Sequence, residues 1–413
     1  MSLAPPVLDS RLADALLAQA RERQEAMVAA LLELAALESP SSDASAQQPV
    51  FDVLARAMGE RGLRTRRLPG SRSGGVLVGA GPAPGTAPAA QPFQLLIGHA
   101  DTVWPRSTTS RRPPTRDSDV ISGPGTYDMK AGLVQALTAL DILAALGQHP
   151  SVAPVLLVNS DEEIGSRDST PAIRTLAAAA DRAMVLEPSL GPRGALKTAR
   201  KGLGRYTVTV HGRAAHAGLD PTAGASAILE LSSVIQQLFA LNDAQRGVTV
   251  NVGMVSGGIQ PNVIAPESSA VVDVRVLTTQ DAEAIDAAIR ALQPTTAGTS
   301  LVVEGGMGRP PLERTERNRD LYGRAVAVAD SMGLDLPEAT AGGGSDGNTA
   351  SLLTPTLDGL GAVGDGAHAE SEHVLLRPWL ERTALLAGLL LLPPVRRDTA
   401  PGVLDPLALL ADL

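Results

Sequence analysis

The sequence predicts an α/β protein: a mostly parallel sheet with helices on both faces, interrupted by an inserted β-α-β-β-α-β, ferredoxin-like domain. Three observations carry this. Short apolar runs alternate with stretches of helical spacing through the first half of the chain, the pattern of a parallel sheet covered on both sides. Near Gly202 the pattern changes to strands of period two, in the order of a split β-α-β unit. The chain has 413 residues, 44 % of them hydrophobic, which is too long for one ordinary core and ample for two.

The elements follow in order. Residues 12–37 carry apolar side chains at helical spacing, and 50–62 read as a second amphipathic helix ended by glycine. Strands are expected at 75–78 and 94–98, with GAGPAPGTAPAAQP as a Pro/Gly/Ala-rich surface loop between them. A helix over 128–146 closes at Gly147, a buried strand follows at 155–159, then a helix at 171–180 and a strand at 183–187. Residues 205–211 (RYTVTVH) alternate as a half-exposed strand. A helix at 222–241, strands at 248–256 and 269–277, a helix at 281–292 and a strand at 300–304 complete the insertion. Helical and turn patterns resume from Arg319. The expected division is a first domain in two parts, 1–201 and 310–413, with the second inserted over 202–309.

Composition excludes several classes. The net charge of -9 disfavours nucleic acid and anionic membrane as partners, because phosphate binding needs a basic face. With no cysteine there are no disulfides, thiolate ligands or cysteine nucleophiles, so any metal must be held by His, Asp and Glu. The opening MSLAPPVLDSRLADALL lacks the form of a signal peptide, and LLAGLLLLPPV is too short and too proline-broken to span a bilayer. The expectation is a soluble, cytoplasmic protein. Of 35 basic residues only Lys130, Lys197 and Lys201 are lysines, which marks them as places where a compact ammonium can matter.

The informative acidic and histidine residues fall where expected strands end. The run 94–98 leads into His99-Ala100-Asp101, 155–159 into Asp161-Glu162-Glu163, and 183–186 into Glu187-Pro188. Open α/β sheets bind ligands outside the carboxyl ends of their strands, so these groups should surround one crevice. The spacing of His99 and Asp101 lets the carboxylate bond one ring nitrogen while the other faces a metal. Asp128, in GPGTYDMKAG, stands at or just before a helix start, where its carboxylate can bridge two cations. His368 lies in the glycine-rich GDGAHAES. Glu162 and Glu163 are adjacent and cannot readily serve one metal together, so one as ligand and one as base divides the work. Taken singly, each carboxylate reads as well as a solvated loop charge; it is the joint order that points to a site.

Together, GHADTVWP, GPGTYDMKAG, NSDEEIGS, LEPS, HGRAAHAG, AGGGSDGN and GDGAHAESE resemble, in family order, the di-zinc metallopeptidases. That family includes glutamate carboxypeptidase, aminoacylase, succinyl-diaminopimelate desuccinylase and aminotripeptidase, and the wording is nearest to glutamate carboxypeptidase. The resemblance implies two Zn2+ per subunit, with Co2+ or Mn2+ as alternatives. One metal would take His99, Glu187 and bridging Asp128; the other would take Glu163, His368 and the same Asp128. Asp101 would orient His99, and Glu162 would be the general base. A cis peptide at Asp128–Met129 is implied as well. Ala131 departs from the usual glycine, with little expected consequence at a helix start.

The resemblance also makes the inserted domain a dimerisation domain. From it, His216 would reach the partner subunit's site and stabilise an oxyanion. Arg275, in the alternating VVDVRV, would grip a substrate carboxylate with Asn262. Gly343, Gly344 and Ser345 would form a backbone anion nest. His211 reads as an ordinary strand-end residue. The implied activity is metal-dependent hydrolysis, by a metal-activated water, of the amide bond to a C-terminal amino acid in a peptide or N-acyl amino acid. An N-acyl or N-carbamoyl amino acid deacylase on the same site is the alternative. A binding protein without hydrolysis is the rival of another class, disfavoured by the intact Glu162 and ligand set.

Overall fold

The computed structural model describes residues 8–81, 92–395 and 405–413. The chain divides into two compact units, one of residues 1–198, 314–340 and 345–413, the other of 199–313 and 341–344. The division expected from sequence lay a few residues away at each junction and lacked the short return at 341–344.

The first unit is built on a six-stranded sheet. Its order is Arg64–Leu68, Val76–Ala80, Ala153–Asn159, Phe93–His99, Arg182–Val185 and Thr356–Leu357. The last three pairings are parallel and the first two antiparallel. Successive side chains of a strand point to opposite faces, and here both faces are buried. Leu77, Leu96, Leu156, Val158 and Met184 pack into one core with helices Ser10–Glu22, Gln24–Ala36, Ala131–Ala145 and Leu376–Leu390. Val78, Leu95, Ile97, Leu157 and Val185 pack into a second core with Ile173 and Leu176 of helix Thr170–Ala179.

Several elements differ from expectation. The helix expected over 12–37 is two helices, broken at Arg23, whose backbone (φ -88, ψ 3) leaves the helical region. The next helix runs Ala44–Glu60, starting earlier because Asp43 caps it: its carboxylate accepts from the N–H groups of Ser45 and Ala46. The helix expected from 128 begins only at Ala131, after an irregular turn in which Asp128 and Met129 have non-helical backbone. The loop expected at 79–92 falls mostly on 82–91, and the opening residues weighed as a signal peptide fall partly on 1–7; both stretches lie outside the described residues.

The edge strand RTRRL at Arg64–Leu68 was not expected, since its arginines hide any apolar alternation. Nor was a small sheet of Gly364–Asp365, His373–Leu375, Val120–Ser122 and Thr115–Asp117, whose strands are too short to leave a period. That sheet positions the site: by pairing His373 with Ser122 it brings the loop bearing His368 to the turn bearing Asp128.

In the second unit the order β-α-β-β-α-β is observed as Gly202–His211, Ala227–Phe239, Thr249–Gly257, Glu267–Val276, Thr279–Arg290 and Ser300–Arg309. The sheet is antiparallel, in the order Thr249–Gly257, Glu267–Val276, Gly202–His211, Ser300–Arg309. Tyr206, Val208, Val272 and Val274 on one face pack against Val234 and Leu238 of the first helix and Ile285 and Ile289 of the second. Among the described residues no helix is long and apolar enough to cross a membrane.

Candidate metal centre

Three neighbouring strand ends of the first unit deliver the expected groups. His99 is the last residue of Phe93–His99, Glu162 and Glu163 open the turn after Ala153–Asn159, and Glu187 lies two residues past Arg182–Val185. Asp128 comes from the turn before helix Ala131–Ala145, and the Asp128–Met129 peptide is cis, as expected.

Asp128 stands at the centre. Its Oδ1 lies 3.2 Å from His99 Nε2, which is 3.5 Å from Glu187 Oε1. Its Oδ2 lies 3.3 Å from His368 Nε2, which is 3.0 Å from Glu163 Oε2. The other four expected ligands thus divide between the two oxygens of the Asp128 carboxylate. A ligand oxygen of Glu162 also lies within 4.8 Å of those of His99 and Glu187.

The charges reinforce one another. Burial would raise the Asp128 carboxyl, but hydrogen bonds from His368 and His99 outweigh it and hold the group well below the usual carboxylate range. Burial also opposes charge on His99, yet Asp101, Asp128 and Glu187 together hold its imidazole well above its ordinary value. Asp128 and Glu163 push His368 up to about 10. Burial raises Glu163. Two imidazoles and three carboxylates so disposed suit divalent cations that accept nitrogen and oxygen ligands.

The turn is held from behind. Glu372, only 1 % exposed, accepts backbone N–H bonds from Gly125 (2.9 Å), Tyr127 (3.0 Å) and Asp128 (3.1 Å), and the indole N–H of Trp104 (2.9 Å). Gly125 supplies the positive φ (69°) that the turn requires. Gly132 permits the following helix to approach the strand end, since a Cβ there would lie 2.2 Å from the carbonyl of Leu186. Glu372 is the last residue of GDGAHAESE, and no local pattern marks it for this role.

Asp101 does more than orient a histidine. The Nδ1 of His99 is nearer the backbone carbonyl of Asp101 (3.0 Å) than its carboxylate (3.4 Å). The carboxylate accepts from Ser41 Oγ (2.7 Å) and from the N–H groups of Glu162 (3.3 Å) and Glu163 (3.2 Å), so it fixes the turn that presents both glutamates. Two of the three lysines lie close by. Lys197 Nζ is 3.8 Å from Glu187 Oε2. Lys130 is fully buried, donates to the carbonyl of Leu37 (2.8 Å) and is pushed down to about 8 by that burial.

Within the second unit, His216 is exposed, and its Nδ1 accepts from the N–H groups of Gly218 and Leu219, both at 3.1 Å. In the neutral ring Nε2 is then the protonated, outward donor. Arg275 shares the half-exposed strand face with Val271 and Asp273, donating to Asp273 (3.0 Å) and to the carbonyl of Gly342 (2.8 Å). Asn262 is exposed, and its carbonyl accepts from Ala217. His211 is exposed and pairs with Glu267 at 3.3 Å.

None of Gly342, Gly343 and Gly344 has a positive φ, so the αR-αL form of an anion nest is not made there. The carbonyls of Gly343 and Gly344 instead accept from Arg200. Ser345 belongs to the first unit and is buried; its hydroxyl donates to Asp358 and accepts from Gly347 (3.0 Å), capping helix Asp346–Ala350.

A crevice at the carboxyl ends of parallel strands, with nitrogen and oxygen donors gathered about one central carboxylate, is a candidate site for divalent metal. Residues 198–298 match the peptidase dimerisation domain, and over most of its length the chain is similar to a carboxypeptidase. Carboxypeptidase G2 of Pseudomonas sp. (strain RS-16) is 27 % identical over 377 residues, 90 % of each chain. Matches to fungal probable carboxypeptidases are shorter; that of Arthroderma benhamiae is 32 % identical over 54 % of this chain and 52 % of its own. Two solved structures share the fold. The aminopeptidase PepT of Bacillus cereus has a TM-score of 0.75 at 22 % identity, over 89 % of this chain and 98 % of its own. The M20 family metallo-carboxypeptidase Sso-CP2 of Sulfolobus solfataricus has a TM-score of 0.69 at 16 % identity, over 90 % and 99 %.

Proposed function

We propose that the protein hydrolyses the amide bond to a C-terminal amino acid, in a peptide or N-acyl amino acid, with glutamate-type C-termini first. The observation that carries this reading is the division of donors about Asp128: His99 and Glu187 beside Oδ1, His368 and Glu163 beside Oδ2. These residues would hold two divalent cations, zinc by preference, with Asp128 between them. Such cations, when bound, polarise the carbonyl and acidify water.

The chain's own groups do the rest. Glu162, beside that donor set and fixed through its N–H to Asp101, takes a proton from the attacking water and returns it to the leaving amine. His216 donates from Nε2 to the oxygen that gains charge, and acts in the partner subunit of a homodimer. Arg275, its fork oriented by Asp273, grips the free carboxylate, with Asn262 beside it. Gly343 and Gly344 flank that grip; Ser345 is withdrawn, its hydroxyl being used in the cap.

An unpartnered surface supports the homodimer. The edge strand Thr249–Gly257 exposes Met254 (69 %) and Val255 (59 %), and helix Ala227–Phe239 exposes Ile228 (49 %) and Leu229 (61 %). Leu231 and Leu238 of the same helix cover its own sheet. A two-fold axis at such an edge makes the patch self-complementary. A cytoplasmic location agrees with the absence of cysteine.

The test is a turnover screen of protein reconstituted with Zn2+ or Co2+, against dipeptides, N-acyl and N-carbamoyl amino acids, and the same compounds as C-terminal amides. Turnover of free carboxylates and not of amides is expected. Turnover of none, in protein with metal verified, rejects hydrolysis; preference for the amides rejects the carboxylate grip.

A further inference from the structure

Helix Leu376–Leu390 is buried without interruption from Arg382 to its end, and position 382 is a place for leucine. Arg382 is 6 % exposed. Among the described residues no side-chain or backbone acceptor is hydrogen-bonded to its guanidinium, and Nη1 is fully buried without a partner. Burial pushes the group down to about 10. A buried cation without a partner is costly, and native structures pair such groups.

Arg382 lines a surface cavity of about 350 Å³ within the first unit, large enough for a small organic ligand. The cavity shares no residue with the expected metal ligands. Its other charges cancel: Arg193 pairs with Asp335 at 2.6 Å, and Arg377 with Glu381 at 3.1 Å. The wall keeps one net positive charge, and Glu381 attracts Arg382 without a hydrogen bond to it. The rest of the wall includes Leu336, Val363, Pro378 and Leu385. Gly194 clears the approach, for a Cβ there would lie 2.8 Å from Arg382 Nη2.

We infer that this cavity is a second ligand site, separate from the metal centre, which binds a small organic monocarboxylate: the carboxylate on Arg382, an apolar tail against Val363 and Leu385. A guanidinium fork matches a carboxylate in bidentate fashion, and a single net charge with apolar walls suits a monoanion better than a phosphate.

The test uses the full chain stripped of metal by chelation, so that carboxylates have no metal to bind. Thermal denaturation and calorimetry are read with 4-methylpentanoate, its neutral amide and inorganic phosphate as probes. The expected result is a saturable stabilisation by 4-methylpentanoate, half-maximal at about 1 mM, and none by the amide. Arg382→Met should weaken binding at least tenfold, while Arg275→Met leaves it unchanged. Since Arg382→Met can fail to fold, Pro192→Trp, at an exposed residue of the cavity, should also abolish binding. The site is overturned by no saturable effect in the wild type, by equal binding of the amide, by retained affinity in Pro192→Trp, or by loss in Arg275→Met instead. Phosphate binding as tightly as the carboxylate overturns the assignment of the ligand.

Discussion

Replacing Glu372 with glutamine tests whether the Asp128 turn is held by a buried charge. Oε1 accepts from Tyr127 and Asp128, and Oε2 from Gly125 and Trp104. Glutamine keeps one acceptor oxygen and turns an NH2 group towards two donors. The amide should leave its nitrogen facing Gly125 and Trp104, because the half-buried indole can turn away; the Gly125 N–H then stays stranded. A stranded buried donor costs about 1–3 kcal/mol, and a lost bond to a charged acceptor about 1.5–3 kcal/mol, so roughly 2.5–6 kcal/mol is expected in all. Both tryptophans, Trp104 and Trp379, lie in the first unit, so intrinsic fluorescence follows that unit's unfolding. With a urea slope of about 3 kcal/mol/M, the midpoint should fall by roughly 0.8–2 M. Exposed Glu370→Gln is the control and should not move it. A Glu372→Gln midpoint within about 0.3 M of wild type would falsify the account of how the turn is held.

Glu162→Gln should lower turnover at least about a hundredfold with metals retained, and Glu163→Gln should weaken metal binding; near-normal turnover in the first excludes Glu162 as base. Asp128 and Glu163 push the metal-free His368 up to about 10, so the stability from this pairing is full below about pH 6.5 and lost as pH rises through about 10. At pH 7 a metal must displace that proton, and affinity should rise with pH; calorimetry in buffers of different ionisation enthalpy showing no proton release contradicts this. Mixing inactive Glu162→Gln with inactive His216→Ala under subunit exchange should restore activity towards about a quarter of wild type, one competent site arising in each heterodimer. No recovery, with exchange verified, means that His216 serves its own chain or none. Elemental analysis of reconstituted protein should give about two metals per chain, and one tight metal with full activity refutes the pairing about Asp128.

The sequence by itself determined the central strands and the acidic and histidine residues at their ends. Strands such as Phe93–His99 and Ala153–Asn159 are largely apolar and buried on both faces, so composition alone marks them, and the proposed ligands stand at their ends. Residue type states what a carboxylate or imidazole can bind, and position at a strand end states where. The tertiary structure decided what depends on distant partners. The small sheet beside the site has strands of two or three residues, too short for a period, yet it carries His368 to Asp128. Asp101 gave its carboxylate to the Glu162–Glu163 turn rather than chiefly to His99, and Ser345 gave its hydroxyl to a helix cap. Glu372 accepts from residues 244 to 268 positions away, and Arg382 is unusual only because the fold buries its Nη1 without a hydrogen-bond acceptor. Hydrogen bonds and burial of that kind are relations between remote segments, and a local pattern of residues holds no trace of them.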